Sequence, residues 1–387
     1  MNWSEAVTLA QKNNNELKSA QKSLESYEWN YRKAFTSLLP QLSASAGMTE
    51  TLSATSSATS KSYSYGLSAS QVIFQGMENI YAIQSAYANV EHQKANLQNT
   101  MAAVFYNIRS AYVELLYNQE NRLLLDEILT QRKQNSRLIN LRYESGREDK
   151  GNMMATQADE KSAEYDVAAA GRSFKLAQLN LSQLLESEIK EVTREALGSL
   201  KKVDFEKLLR ESPAYIMAKK KLELAEISHK TSISGFLPSV SLSGSYSKRG
   251  SDWPPQTLSK SWSLNFSYAF FPGGSNFIEQ IKTSVELEQA REDFAKTEKN
   301  LRYDLESAYE NYSDALEALE VEKIKLAASE ERARIIQSKY LNGLASYDEW
   351  YRLENSSIAA QKSLLNLKKK AFLAEALWYK TYGGRVQ

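Results

Sequence analysis

The chain is written twice. Leu38-Leu-Pro40 returns as Phe236-Leu-Pro238, and Val72-Ile-Phe-Gln-Gly76 returns as Ala269-Phe-Phe-Pro-Gly273. Ser110-Ala-Tyr112 returns as Ser307-Ala-Tyr309, and Tyr143-Glu-Ser-Gly146 as Tyr340-Leu-Asn-Gly343. Four matches in one order at a spacing of about 197 residues mark a duplicated half-chain, not a solenoid of small units. Any fold proposed for one half must therefore suit the other.

Each half opens with a helical pattern that ends at proline, because the residue before proline is pushed to extended geometry. Two alternating segments follow, then a very long helical pattern, a glycine-containing turn and a helix running back. In the first half the long pattern steps by three and four through Ile80, Ile83, Tyr87, Val90, Lys94, Leu97, Met101, Val104, Ile108, Ala111 and Leu115. Only Lys94 breaks this apolar seam, which has the period of a coiled coil. From Gly76 to Gly146 such a helix spans roughly 100 Å. The second half keeps the step through Leu301, Leu305, Ala308, Tyr312, Ala315 and Leu319. Taken alone, these segments suit an ordinary coiled coil.

The alternating segments argue otherwise. Leu42, Ala44, Ala46 and Met48 alternate with Ser43, Ser45, Gly47 and Thr49; Tyr63, Tyr65, Leu67 and Ala69 alternate with Ser64, Gly66, Ser68 and Ser70. In the second half Val240, Leu242, Gly244 and Tyr246 alternate with serines, and Trp262, Leu264, Phe266, Tyr268 and Phe270 alternate with serines and Asn265. Each segment is long enough for a tilted strand to cross the hydrocarbon core of a bilayer. The polar face is nearly free of charge, and Tyr63, Tyr246, Trp253, Trp262 and Phe271 gather near the ends, as in an interfacial girdle. A soluble sheet packed on helices is the alternative, with its serine face toward water. A membrane sheet tolerates no free edge, so four strands per chain require several chains: two give 8 strands, three give 12.

Composition removes other classes. Lys and Arg total 48 against 47 Asp and Glu, a net charge of +1, so no nucleic-acid partner is expected. There is no cysteine, hence no disulfide framework, thiolate metal site or cysteine nucleophile. The two histidines, His92 and His229, lie in polar helical stretches without a partner at metal spacing and read as solvated surface residues. The carboxylates read as helical solvent faces paired with Lys and Arg. No enzyme, cofactor or metal site is expected. No run of about 18 apolar residues suggests a transmembrane helix, and no secretory leader is visible ahead of the first helix.

The ordered set of motifs resembles the TolC family of outer-membrane efflux and secretion channels across essentially the whole chain. Its carriers are SEAVTLAQKNNNELKSAQ (Ser4–Gln21) and its weaker echo LLRESPAYIMAKKKLELA (Leu208–Ala225). To these are added the helix-to-strand prolines Pro40 and Pro238, the strand-to-helix steps at Gly76 and Gly273, and two Tyr-x-x-Gly turns. The resemblance implies a mainly α chain with a small β part. Three copies would form a 12-stranded transmembrane β-barrel continued by a 12-helix periplasmic α-barrel. It implies a passive exit duct in the outer membrane of a Gram-negative bacterium, working with a periplasmic adaptor and an inner-membrane transporter. The class of exported cargo is not written in the chain. A soluble coiled-coil scaffold is the rival reading.

The expected layout has a first repeat at 1–197: helix 3–38, strands about 40–52 and 62–74, long helix 76–143, return helix 152–186 and an equatorial segment 187–203. The second repeat, 204–387, has helix 205–235, strands about 238–248 and 260–271, long helix 275–341 and return helix 347–382. Leu42, Leu67, Val240, Leu242, Leu264 and Phe266 are expected to face lipid. The resemblance places the gate at the turns: Tyr143, Gly146, Arg147 and Asn152 in the first, Tyr340, Gly343, Leu344, Asp348 and Glu349 in the second. An acid common in the family's first turn falls on Asn152 here, and an arginine of the second on Ala345. Of two further acidic positions, one falls on Glu349 and the other on Arg352. A constriction would then rest on Glu349 and Asp348, with Arg147, Glu148 and Asp149 as further candidates. The family's Gly-Leu step, which meets the adaptor, survives at Gly343-Leu344 and is lost at Gly146-Arg147.

Overall fold

The computed structural model describes residues 1–52, 59–200 and 202–384. Part of the first polar loop (53–58), residue 201 of the equatorial segment and the last residues, 385–387, lie outside the described residues. The elements run α1 (Trp3–Asn13), α2 (Asn15–Ala34), β1 (Gln41–Leu52), β2 (Thr59–Gln75), α3 (Glu78–Glu144) and α4 (Lys150–Leu185). The plan then repeats as α5 (Phe205–Glu211), α6 (Pro213–Ser232), β3 (Ser239–Gly250), β4 (Thr257–Ser267), α7 (Ser275–Leu341) and α8 (Tyr347–Thr381). The long helices α3 and α7 have 67 residues each and contain neither glycine nor proline, so nothing in their backbone interrupts the hydrogen-bond ladder.

The opening helix of each half is broken where one helix was expected. In the first, Asn14 leaves helical geometry and its side chain caps Leu17 N–H at 3.0 Å. In the second, Ser212 is extended and Pro213 starts α6, where its missing N–H costs nothing. Both halves then tighten into a short 3-10 turn, Phe35–Leu38 and Ile233–Phe236, followed by an extended Leu39 or Leu237. Pro40 and Pro238 come next, and the strands begin one residue later, as the X-Pro restriction predicts. Strand β4 ends at Ser267, short of the expected 271. Its partner β3 starts at Ser239, opposite Ser267, so Tyr268, Phe270 and Phe271 have no backbone to pair with. Strand β2 starts earlier than expected, at Thr59, opposite Leu52.

Packing divides the chain into two units. One comprises Gln21–Asn96 and Tyr215–Glu298 and contains the sheet; the other comprises Met1–Ala20, Leu97–Ala214 and the chain from Lys299 onward. In the first unit the four strands form one antiparallel sheet in the order β1-β2-β3-β4. The two alternating pairs are thus joined through β2 and β3, which come from different halves. Beside the sheet, α2 meets α3 through Tyr31 and Tyr87 and through Gln93 Nε2, which donates to Ser23 Oγ at 3.0 Å. The second half repeats this with Phe236 against Phe277 and His229 Nδ1 at 3.2 Å from Thr283 Oγ1. Neither histidine is the solvated residue expected: both are half-buried, and burial, then Lys221, lowers the His92 pKa.

In the other unit the core gathers Trp3, Ala6, Val104, Ile108, Ala111, Leu115, Leu181, Leu185 and Phe372. The seam of α3 is buried here at Val104, Ile108, Ala111 and Leu115. Ile80, Tyr87 and Lys94 of the same seam, in the sheet-bearing unit, are exposed. A cation sits within this core. Arg109, 2% exposed, donates from Nη1 to Glu195 Oε2 at 2.6 Å and lies 3.5 Å from Glu375 Oε2. The rings of Trp3, Tyr112 and Phe372 stand around its guanidinium at 4.8, 5.6 and 5.5 Å. Glu375 also accepts from Gly198 N–H at 2.9 Å, and Tyr312 Oη donates to Gly198 O at 2.6 Å. This network pins the irregular segment after α4 to the helices. It also corrects the reading of all carboxylates as solvent-facing, since Glu375 and Glu354 are each 3% exposed.

The strand-to-helix steps need left-handed backbone. Gly76 and Gly273 have φ of 57° and 68°. The next residue is also left-handed in both halves, but it is Gly274 in one and Met77, at φ 68°, in the other. A Cβ on Gly76 would meet Ser234 O at 2.6 Å, whereas one on Gly273 meets nothing within 4 Å. Gly273→Ala should therefore cost only the left-handed penalty, about 1 kcal/mol. Gly76→Ala adds a backbone clash and should cost roughly 2–4 kcal/mol. Thermal unfolding of the two purified variants checks the order; equal losses would mean that the close approach to Ser234 is not held in solution.

Candidate functional site

Residues paired across an antiparallel sheet share a face, so the registers sort the side chains. One face carries the rows Gln41–Ser70–Ser243–Ser263, Ser43–Ser68–Ser245–Ser261 and Ser45–Gly66–Ser247–Ser259. Hydroxyls meet across them: Ser43 and Ser68 at 2.6 Å, Ser243 and Ser263 at 2.7 Å, Ser245 and Ser261 at 2.8 Å. The opposite face carries Leu42–Ala69–Gly244–Trp262, Ala44–Leu67–Tyr246, Gln71–Leu242–Leu264 and Phe74–Val240–Phe266. All six residues expected to face lipid lie on this one face. Leu42, Leu67, Leu264 and Phe266 are more than half exposed in the single chain.

A bulge between Val72 and Phe74 keeps the two faces in register. Before it, Val72 sits opposite Ser241, on the serine side. After the extra residue, Phe74 meets Val240 and Gln75 meets Ser239, like with like. Gln71, on the apolar side, spends its amide on Leu38 O and Val72 O, each at 3.0 Å. The sequence alternation did not reveal the bulge, because Val72-Ile73-Phe74 reads as a plain apolar run.

In the other unit the two turns between long and return helices share one backbone design. Arg147 N–H bonds Arg142 O at 2.8 Å, and Leu344 N–H bonds Lys339 O at 2.8 Å, closing each long helix over a left-handed glycine, Gly146 or Gly343. Asp149 then caps α4 and Ser346 caps α8 through side-chain acceptors. The side chains differ. Arg147 is exposed at one turn, and Leu344, 76% exposed, takes its place at the other. Tyr143 is exposed, whereas its counterpart Tyr340 is 3% exposed.

Tyr340 is the hub. Its ring stacks on Trp350 at 4.8 Å with the planes 2° apart, within a cluster that includes Ile139, Ile336 and Tyr347. Arg142 lies 4.2 Å over the same ring and donates to the carbonyls of Tyr340 and Leu341, each at 3.1 Å. Tyr340 Oη donates to Glu148 Oε2 at 2.6 Å, and Glu148 Oε1 accepts from Asn152 Nδ2 at 2.8 Å. Burial and the Glu148 carboxylate push the Tyr340 phenol upward, so it stays a donor at any ordinary pH. Glu148 therefore ties the first turn to the second, and Asn152 holds Glu148 in place. Asp348 and Glu349 are exposed in the first turn of α8, and neither has an ion-pair partner among the described residues. From sequence, Arg142 and Trp350 read as ordinary helix residues, and only their packing on Tyr340 gives them a place in this site.

Just beyond this cluster, Glu354 is buried against Asn135, with Arg132, Asp159 and Asn355 beside it. Its Oε2 has no hydrogen-bond partner, and burial raises its pKa. The folded carboxyl holds its proton more tightly than the unfolded one. Stability is thus undiminished below the ordinary carboxylate range and falls as pH rises through it toward the native value. Glu354→Gln should raise the melting temperature at pH 7 and leave it unchanged near pH 4. A variant no more stable than the parent at pH 7 would show that the carboxyl is hydrated in solution.

Among the described residues, no helix is long and apolar enough to cross a membrane. Comparison with known proteins places the site in context. No curated protein matches this sequence. The CusC channel structure superposes with a TM-score of 0.90 at 18% identity, over 99% of this chain and 92% of that one. The open MtrE outer membrane channel of Neisseria gonorrhoeae gives 0.87 at 20% identity, over 99% and 89%. The outer membrane protein VceC of Vibrio cholerae gives 0.87 at 18% identity, over 100% and 97%. The family model described as outer membrane efflux protein matches residues 6–186 and 205–384, one match to each half. The chain belongs to the outer membrane efflux protein family.

Proposed function

We propose that the protein is the passive outer-membrane exit duct of a tripartite efflux pump or type I secretion system. Three copies close their sheets into one 12-stranded barrel. The observation that carries this reading is the sheet itself: the faces are sorted into apolar and serine, and β1 and β4 are left as unpaired edges. Unpaired backbone groups in lipid cost several kcal/mol each, and joining β4 of one copy to β1 of the next removes them all. The serine face then lines an aqueous lumen of low charge, and the apolar face meets lipid. Exposed Ile278, Ile281 and Val285 at helical spacing on α7 supply an apolar stripe for the neighbouring copy.

The native chain has no cysteine, so single cysteines report without background. In proteoliposomes, Ser245→Cys should react with a charged, water-soluble thiol reagent, and Leu264→Cys should not. Equal reactivity, or a chain that stays monomeric and monodisperse in plain buffer, would favour the soluble scaffold.

The paired turns are the gate in this reading. The Tyr340–Glu148 bond and the Arg142 contacts hold the two turns of one copy together, and Asp348 and Glu349 form an acidic ring in the trimer. Glu148→Gln or Tyr340→Phe, and separately the pair Asp348→Ala with Glu349→Ala, should each raise single-channel conductance in planar bilayers. Unchanged conductance in all of them would place the constriction elsewhere. The exposed Gly343-Leu344 step is the docking face for the hairpin of a periplasmic adaptor, which links the duct to an inner-membrane transporter. Crosslinks to an adaptor should concentrate there; crosslinks found only around Gly146 would reverse the assignment.

A further inference from the structure

The apolar face of the sheet changes character away from the proline junctions. From Pro238 outward, β3 and β4 present Val240 with Phe266, Leu242 with Leu264, and Gly244 with Trp262. The next two rows are Tyr246 with Lys260, and Lys248 with Leu258. Lys260 Nζ lies 5.6 Å from the centre of the Tyr246 ring, on that same face. Lys248 is paired with Tyr65, whose ring packs 6.0 Å from Trp253, and Tyr63 packs 6.1 Å from the same indole. The two lysines are diagonal neighbours across β3 and β4, roughly 7 Å apart at their Cβ atoms. Two rows further out on this face, Lys61 is matched by Glu50 at 3.8 Å. No carboxylate pairs with Lys248 or Lys260 among the described residues.

A lysine facing hydrocarbon is costly, and it is tolerated where its stem lets the ammonium reach the headgroups. The tyrosines and Trp253 mark this level as the interface. The paired ends of β1 at Leu52 and β2 at Thr59 and the turn between β3 and β4 lie at this end, away from the helices, so the leaflet is the outward one. In the first repeat the equivalent positions are Glu50 and Tyr63, so the duplication did not require a basic pair here.

Resting on the barrel reading above, we infer that Lys248 and Lys260 form a binding site for a phosphomonoester on an outer-leaflet glycolipid headgroup, one site per chain. A phosphomonoester carries close to two negative charges, matching two ammonium groups that can converge on it; a phosphodiester carries one. Tyr65, Tyr246 and Trp253 would seat the sugar and upper acyl region.

The test is lipid titration of the detergent-solubilised trimer, read by native mass spectrometry. The probes are the bisphosphorylated glucosamine-disaccharide anchor of lipopolysaccharide and phosphatidylglycerol. The disaccharide lipid should bind more tightly. Lys248→Gln with Lys260→Gln should weaken it roughly 25-fold, about fivefold for each lysine. The paired Arg variant should retain binding. Arg249→Gln should change nothing, because Arg249 pairs with Ser64 and Thr257 on the serine face. Wild-type affinity in the double Gln variant, an equal loss in Arg249→Gln, or equal binding of phosphatidylglycerol overturns the inference. Trimer mass and channel conductance of each variant separate these outcomes from failure of the barrel. A wild-type chain that never assembles overturns the barrel reading and the lipid site together.

Discussion

The backbone hydrogen bonds of four strands are the constraint on which the rest depends. A strand in lipid must find a partner on both sides, and this chain supplies three of the four pairings it needs. β1 and β4 each keep an edge whose N–H and C=O groups have nowhere to go within one copy. Water would satisfy them if the sheet were soluble. The Leu, Phe and Trp side chains on one face would then be left against water. Closing the sheet on itself through further copies answers both demands at once.

Duplication supplies the backbone, and divergence between the halves supplies the chemistry. Both turns use the same glycine closure and the same side-chain cap, yet one buries a tyrosine where the other exposes it. The buried Tyr340 can therefore receive the Glu148 carboxylate and tie the two halves together. Asn152, four residues after Glu148, orients it through its side-chain amide. The strand-to-helix steps show the same pattern. A left-handed pair is required in both halves, but only the second uses two glycines, and Met77 carries the strain in the first.

The buried charges follow one physical rule. Arg109 is kept in the core because two carboxylates and three aromatic rings surround it, and the same contacts order a stretch of chain with no secondary structure. Glu354 has weaker compensation, and burial raises its pKa. Arg109 lies within an otherwise apolar stretch of α3, whereas Glu354 lies among the charged residues at the start of α8.

The sequence by itself determined the duplication, the proline ends of the opening helices, the uninterrupted long helices and the two-faced strands. Each of these depends on local backbone preference or on a period that near neighbours express. Tertiary structure alone decided that β2 pairs with β3 and that a bulge at Val72 restores the match of faces. It also decided that Tyr340 turns inward to Glu148, and that Arg109, Glu354 and Glu375 are buried. These depend on residues brought together from distant parts of the chain, and no local period records which helix face will find a partner. The breaks at Asn14 and Ser212 lie between the two kinds: their capping residues are visible in the sequence, but only packing decides whether a helix continues past them.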